Sequence, residues 1–218
     1  MDGYTLPHEL KLMRDQIRLI VQEEIVPAEA RCDPDAAEIL DSDFQRIAAK
    51  VKSLGYWYPS VPERFGGAGL NTFAMCVLTE EMVQHRMGLY NAGCGVFGRM
   101  IPPTIWAGSE SQIQKYAVRA VEEGCHTFFA ITEPSGGSDP AGAIRTSAVR
   151  KGDRYILNGR KVFITYADKA EWGIVFARTS KDAGRSGISA FILDKDTPGW
   201  SARPIRTIRT SAIPNELS

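Results

Sequence analysis

Apolar side chains follow a helical spacing through the first part of the chain and an alternating one in the last part. Leu10, Met13, Ile17, Ile20, Val21 and Ile25 recur at intervals of three and four and predict one apolar helical face, with Pro27 at or near its end. A second helix is expected from Ser42, where Ser42 and Gln45 have capping-box spacing, Ile47, Ala48, Val51 and Leu54 supply the apolar face and Gly55 the stop. Pro62 to Gly69 reads as a loop, Thr72 to His85 as a helix, and Ser109 with Gln112 as the capping box of a further helix that Gly124 ends. From about residue 126 short apolar or alternating runs predict strands over 128–132, 143–150, 154–157, 161–165, 173–178 and 188–193. Lys151-Gly152-Asp153 reads as a hairpin turn and 182–187 as a polar loop. Helices followed by strands give an α+β chain, all-helical first, with a small barrel or sandwich second.

Charge adds a bias to this division. Lys+Arg and Asp+Glu balance at 26 each, so the chain as a whole gives no sign of nucleic-acid binding. Residues 1–125 nevertheless carry a net −5 and residues 126–218 a net +5, which suits an anionic ligand on the second part and equally an uneven surface. The four cysteines, Cys32, Cys76, Cys94 and Cys125, form no CxxC pair, and His8, His85 and His126 have no metal-ligand spacing. No metal site is expected. Buried free thiols in a reducing compartment, no secretory leader and no membrane span predict a cytoplasmic protein.

Candidate chemistry concentrates in Phe128 to Asp139, FFAITEPSGGSD, and Asn158 to Thr165, NGRKVFIT. Thr132 and Thr165 each end an apolar strand, where a hydroxyl and a backbone N–H can reach the heteroatoms of a ring; either can also be an ordinary strand-end threonine. Ser135-Gly136-Gly137-Ser138-Asp139 can expose N–H groups to a phosphate, or can simply be a turn. Phe163 can lie against a flat ring or belong to the core. Glu133 adjoins Thr132, but alternation points it to the opposite face, and a structural role is expected for it. Arg203, Arg206 and Arg209 form a basic stripe suited to phosphates or to a solvated face.

Taken together, ITEPSGGSD, NGRKVFIT, FILDKDTPGW, PERFGGAGL and the helix after AGSESQIQKY resemble the acyl-CoA dehydrogenase family over nearly the whole chain. The resemblance implies an N-terminal helical domain over residues 1–124 and a middle domain over 125–218, a small antiparallel β-barrel. Family members are nearly twice this length, so the barrel is expected to be incomplete at its C-terminal end, where Asn215 to Ser218 would begin another strand. The resemblance also implies FAD, an acyl-CoA thioester oxidised to its trans-2-enoyl-CoA, an electron-transfer flavoprotein as acceptor, and a homo-oligomer. Phe129, Ala130, Ile131 and Thr132 would run along the flavin ring, and Phe163, Ile164 and Thr165 match the family's aromatic-Ile-Thr triplet. Gly137 and Ser138 would meet the cofactor, with Ser138 also contacting CoA. A helix from about Leu89 to Trp106 would line the acyl pocket, with Asn91 and Gly95 in contact with substrate and its small residues leaving room for a long or bulky acyl group.

In the family a glutamate in a C-terminal helical domain removes the α-proton while hydride leaves the next carbon. This chain is expected to stop short of that residue, so no catalytic residue is assigned to it. A subunit completed by a partner, a non-enzymatic remnant of the fold, and a flavin monooxygenase or oxidase of the same fold remain as alternatives.

Overall fold

The expected first helix forms over His8–Ile20, widens into i→i+5 turns over Val21–Ile25 and ends in an α-turn over Val26–Ala30. Pro27 lies inside the continuing helix just after the i→i+5 turns, and lacks the N–H that would bond back to the preceding turn. The computed structural model describes residues 5–36, 38–89, 91–207 and 214–218. Its described residues divide into two compact units, one ending at Arg99 and the other beginning at Met100.

In the first unit, helices His8–Ile20, Asp41–Ser53 and Thr72–Met82 bury Ile17, Ile47, Val51 and Leu78 completely. The Asp41–Ser53 helix starts two residues earlier than its capping-box spacing suggests. Leu40 holds the N-cap position without a side-chain bond, and Ser42 lies inside the first turn. Asn71 caps Thr72–Met82 by accepting from the Ala74 N–H at 2.9 Å. Arg18 fixes that helix to the first through two bonds to Glu81, at 2.9 and 2.6 Å.

Two expectations fail in this unit. No single helix runs from Leu89 to Trp106. Short 3₁₀ turns form instead at Ala92–Gly95 and Pro103–Ala107, the latter already in the second unit. Gly93, Cys94, Gly95 and Gly98 all take positive φ, and Pro102-Pro103 blocks helical continuation. The thiols are not uniformly buried either. Cys94 is buried, but Cys76 is exposed, because it falls off the face of its helix that carries Ala74, Val77 and Leu78.

The second unit holds eight strands among its described residues: β1 Thr127–Ala130, β2 Ser147–Lys151, β3 Arg154–Asn158, β4 Lys161–Thr165, β5 Trp172–Arg178, β6 Ile188–Asp194, β7 Ala202–Pro204 and β8 Pro214–Leu217. The predicted run 143–150 is shortened, since Pro140–Ala143 forms a helical turn capped by Asp139. Strand β5 pairs parallel with β1 over Trp172–Val175, touches β2 in parallel at Ser147–Arg178, and pairs antiparallel with β6 along its whole length. Strands β2 and β3 form the expected hairpin around Gly152. A separate antiparallel sheet has the order β4-β8-β7. The larger sheet is therefore mixed where antiparallel pairing is predicted, because β1 and β5 are joined by a long excursion and not by a hairpin. Among the described residues the sheets do not close into a barrel. The last residues already form a strand, β8, seated between β4 and β7.

Phe128, Ala130, Ile164, Val175 and Leu217 form the core between the two sheets. The capping box of Ser109 and Gln112 opens a helical stretch over Glu110–Glu123 that Gly124 ends at φ 66°. That stretch belongs to the second compact unit. Tyr116 explains why: its hydroxyl donates to Asp194 at 3.0 Å and its ring lies 5.4 Å from that of Trp172.

Candidate functional site

Alternation along β1 sends Phe128 and Ala130 into the core, both fully buried, and turns Phe129 outward. Gly173 opposite leaves room for Phe128, since a β-carbon there would stand 2.3 Å from the ring. Phe129 meets Phe176 edge-on at 5.2 Å. Beyond β1, Ile131 and Thr132 are half-buried. The Thr132 carbonyl accepts from the Val162 N–H at 3.0 Å, which brings the end of β1 against β4.

Strand β4 is irregular. Its register with β8 shifts between Lys161 and Ile164, so the backbone bulges at Val162 and Phe163. Phe163 takes φ 61° and is 63% exposed, while Ile164 returns to the core at 2%. Positive φ in a bulky residue costs about 1–3 kcal/mol, and an exposed ring recovers nothing by burial. Thr165 follows, half-buried.

Between these strands the chain reverses at Glu133–Gly136. The Gly136 N–H donates to the Glu133 carbonyl at 3.0 Å. Gly136, at φ 155°, and Gly137 let the loop fold back tightly; a β-carbon on Gly137 would come within 3.2 Å of Thr132 Cγ2. Ser135 Oγ donates to the Ala143 carbonyl at 2.9 Å, while Ser138 is exposed. Arg178 braces the far side of the loop through the carbonyls of Ala141 and Gly184, at 2.9 and 2.8 Å.

Glu133 points inward. One carboxylate oxygen accepts from the Arg145 N–H at 2.6 Å, the other from the Thr146 N–H at 3.0 Å and from Lys161 Nζ at 2.8 Å. Burial raises the Glu133 carboxyl, but Lys161 and the two N–H donors outweigh it and hold the group below its ordinary value. Burial likewise lowers Lys161, with Glu133 opposing. The structural role expected for Glu133 is therefore visible. Its partner Lys161 carries no sequence signal beyond its place two residues before Phe163.

The structure thus brings Phe129, Ile131, Thr132, Gly137, Phe163 and Thr165 to adjacent strand ends and their connecting turn. Ala130 and Ile164 lie there too, with only backbone groups to offer. Such a face can hold a flat ring with polar edges: an exposed aromatic for stacking, threonines at half-burial, and a tight glycine turn that brings backbone close. Arg203 of the basic stripe is paired with Glu216 at 2.9 Å, Arg206 is exposed, and Arg209 lies outside the described residues.

Asn91 and Gly95 belong to the first unit. Asn91, half-buried, donates its N–H to the Met87 carbonyl at 3.0 Å, and Gly95 is buried. Next to them is a cluster with no local sequence signature. Glu29, His85 and Cys94 place three potential metal-ligand atoms within 4.8 Å of one another. Glu29 accepts from His85 Nδ1 at 2.8 Å and from the N–H groups of Met87 and Arg86 at 2.8 and 3.0 Å, while His85 Nε2 accepts from the Gly93 N–H at 3.0 Å. Both ring nitrogens are committed, which fixes a neutral imidazole protonated at Nδ1. A metal on Nδ1 would force a proton onto Nε2, facing the Gly93 N–H. The cluster therefore reads as a hydrogen-bonded lock on the 91–95 turn. Burial and then the charge of Glu29 push the Cys94 thiol far up.

Two family models match the chain, the acyl-CoA dehydrogenase N-terminal domain over residues 7–123 and the acyl-CoA dehydrogenase middle domain over residues 128–214. An acyl-CoA dehydrogenase of Bacillus subtilis is 36% identical over 88% of this chain and 49% of its own. The crystal structure of an acyl-CoA dehydrogenase from Geobacillus kaustophilus superposes with a TM-score of 0.74 at 31% identity, over 97% of this chain and 55% of the other. A glutaryl-CoA dehydrogenase from Mycobacterium smegmatis, in complex with FADH2, gives a TM-score of 0.73 at 26% identity, covering 97% of this chain and 52% of that one. The chain spans about half the length of the curated relatives it matches.

Proposed function

Since this chain belongs to the acyl-CoA dehydrogenase family, we propose that its β1–β4 face holds FAD and that the protein serves the α,β-dehydrogenation of an acyl-CoA thioester to the trans-2-enoyl-CoA. Phe163 carries this reading. A strained, exposed aromatic at a strand bulge contributes little to the fold, whereas a ring stacked on it would bury it. FADH2 bound to the Mycobacterium smegmatis relative supports the choice of cofactor.

Bound FAD supplies the two-electron acceptor of the reaction. The chain's own part is to bind and orient. Phe163 and Phe129 present flat apolar surface, and Thr132 and Thr165 offer hydroxyl and N–H groups to the ring edges. Gly137 and Ser138 serve phosphates of the cofactor or of CoA. We place Asn91 and Gly95 on the substrate side, and residues 1–124 and 125–218 as the family's first two domains. No residue of this chain is assigned as the base for the α-proton, and the oxygens of Glu133 are committed to Lys161 and two backbone donors. We extend the proposal to an electron-transfer flavoprotein as acceptor and a homo-oligomeric assembly, as the family resemblance implies. The four unpaired cysteines accord with a cytoplasmic setting.

The test is FAD binding, followed by quenching of flavin fluorescence. The purified chain is expected to bind FAD, and Phe163→Ala to weaken it about tenfold, as loss of one aromatic stack predicts. No quenching by the unaltered chain would overturn the assignment. Anaerobic bleaching of the flavin by an acyl-CoA then separates this chemistry from that of an oxygenase.

A further inference from the structure

Strands β1 and β4 belong to different sheets and share no ladder. Yet Thr132, just past the end of β1, and Phe163, at the bulge of β4, are placed by the reading above against one ring. Something must set the distance between them.

Two kinds of polar contact cross the seam there among the described residues. One is the backbone bond from Val162 N–H to the Thr132 carbonyl. The other is a buried ion pair. Lys161 Nζ, at the start of β4, donates to Glu133 at 2.8 Å and to the Ile131 carbonyl at 3.2 Å, so it grips the residues on both sides of Thr132. Glu133 in turn holds the Arg145 and Thr146 N–H groups that lead into β2. Lys161 is 2% and Glu133 4% exposed, so neither side chain reaches the outer face.

A buried ion pair is a poor source of net stability, since apolar residues of the same volume commonly do as well. Its distinctive contribution is direction, because each donor and acceptor fixes one distance and one angle. We propose that Glu133 and Lys161 form a positioning clip that sets the Thr132 edge relative to the Phe163–Thr165 edge across the seam between the sheets. The proposal rests on the FAD reading for its purpose, but the clip is a property of the protein alone and can be tested without flavin.

The experiment combines residue-resolved amide hydrogen exchange with FAD titration on the chain of 218 residues, comparing the unaltered protein, Lys161→Met and the charge-free pair E133Q/K161M. In Lys161→Met the amides of Val162, Arg145 and Thr146 are expected to exchange about tenfold faster or more, while those of β5 and β6 stay within about twofold. FAD affinity should fall about tenfold. The double variant leaves no buried charge unpaired, so it reports even if the single variant does not fold. It should keep its unfolding midpoint while showing the same local acceleration and weakened FAD binding. Uniform acceleration across the unit, no acceleration, or a double variant with normal local protection and FAD affinity would each overturn the clip. Failure of the unaltered chain to bind FAD would overturn the proposed function instead, and the exchange data would still decide the clip.

Discussion

Each unit of the molecule contains a buried glutamate that receives two consecutive backbone N–H groups and one side-chain nitrogen donor. In the helical unit Glu29 takes Arg86, Met87 and His85. In the β-unit Glu133 takes Arg145, Thr146 and Lys161. The difference lies in the third donor. His85 is neutral and passes the network on to Gly93, so the first lock fastens a turn whose residues sit at positive φ. Lys161 is cationic and spans two sheets, so the second fixes a spacing between strand ends. One arrangement holds a strained loop in place; the other sets a distance that a ligand can use.

The largest expected effect comes from breaking the first lock. Glu29→Ala leaves the Arg86, Met87 and His85 donors without their acceptor, those of Met87 and His85 buried, and a loss of about 3–5 kcal/mol is expected from urea unfolding. A loss under about 1 kcal/mol would show that the two glutamates are not comparable.

The second prediction concerns pH. The Glu133 carboxyl lies below its ordinary value in the folded protein, so the folded state holds its charge more readily than the unfolded chain does. Its contribution is complete above the unfolded carboxylate value of about 4.3 and is lost as pH falls through the lower folded value. The stability of the unaltered protein relative to Glu133→Gln should therefore fall as pH drops below about 5. A relative stability that rose on acidification would contradict the assigned ion pair.

Smaller effects separate the ligand face from the clip beneath it. Gly137→Ala would press a methyl against Thr132, and a cost of about 1 kcal/mol in unfolding is expected, with FAD affinity reduced alongside. Phe163→Ala should change stability by no more than about 0.5 kcal/mol, because the ring is exposed and its φ strained, while FAD binding falls. If Phe163→Ala destabilised the fold as much as Lys161→Met, the distinction between face and clip would disappear.

Local signals in the sequence were reliable where the physics is local. The Ser109–Gln112 box, the Gly152 hairpin and the β4 span Lys161–Thr165 all form as their residues predict. The face of strand ends was legible because strand alternation and a Gly-rich turn act over a few residues. Ser42 misled, because the capping spacing was present but the helix began earlier. The helix from Leu89 to Trp106 that the family resemblance implied does not form, because glycines at positive φ interrupt it. The parallel pairing of β1 with β5 joins residues 45 positions apart, such as Thr127 and Trp172, and no short pattern encodes that.

By itself, the sequence determined where helices give way to strands, which strand ends carry threonines and an aromatic, and which family the chain resembles. Only the tertiary structure decided that Phe163 stands outward on a bulge, that Lys161 and not a second apolar residue fills the seam behind it, and that Glu29 meets His85 and Cys94 across 56 and 65 residues of chain. The physical reason is range. Periodicity and capping are set by neighbours within a turn or two. The partner of a buried charge is chosen by packing, because low-dielectric burial makes an unpaired charge too costly to leave wherever the chain happens to bring it.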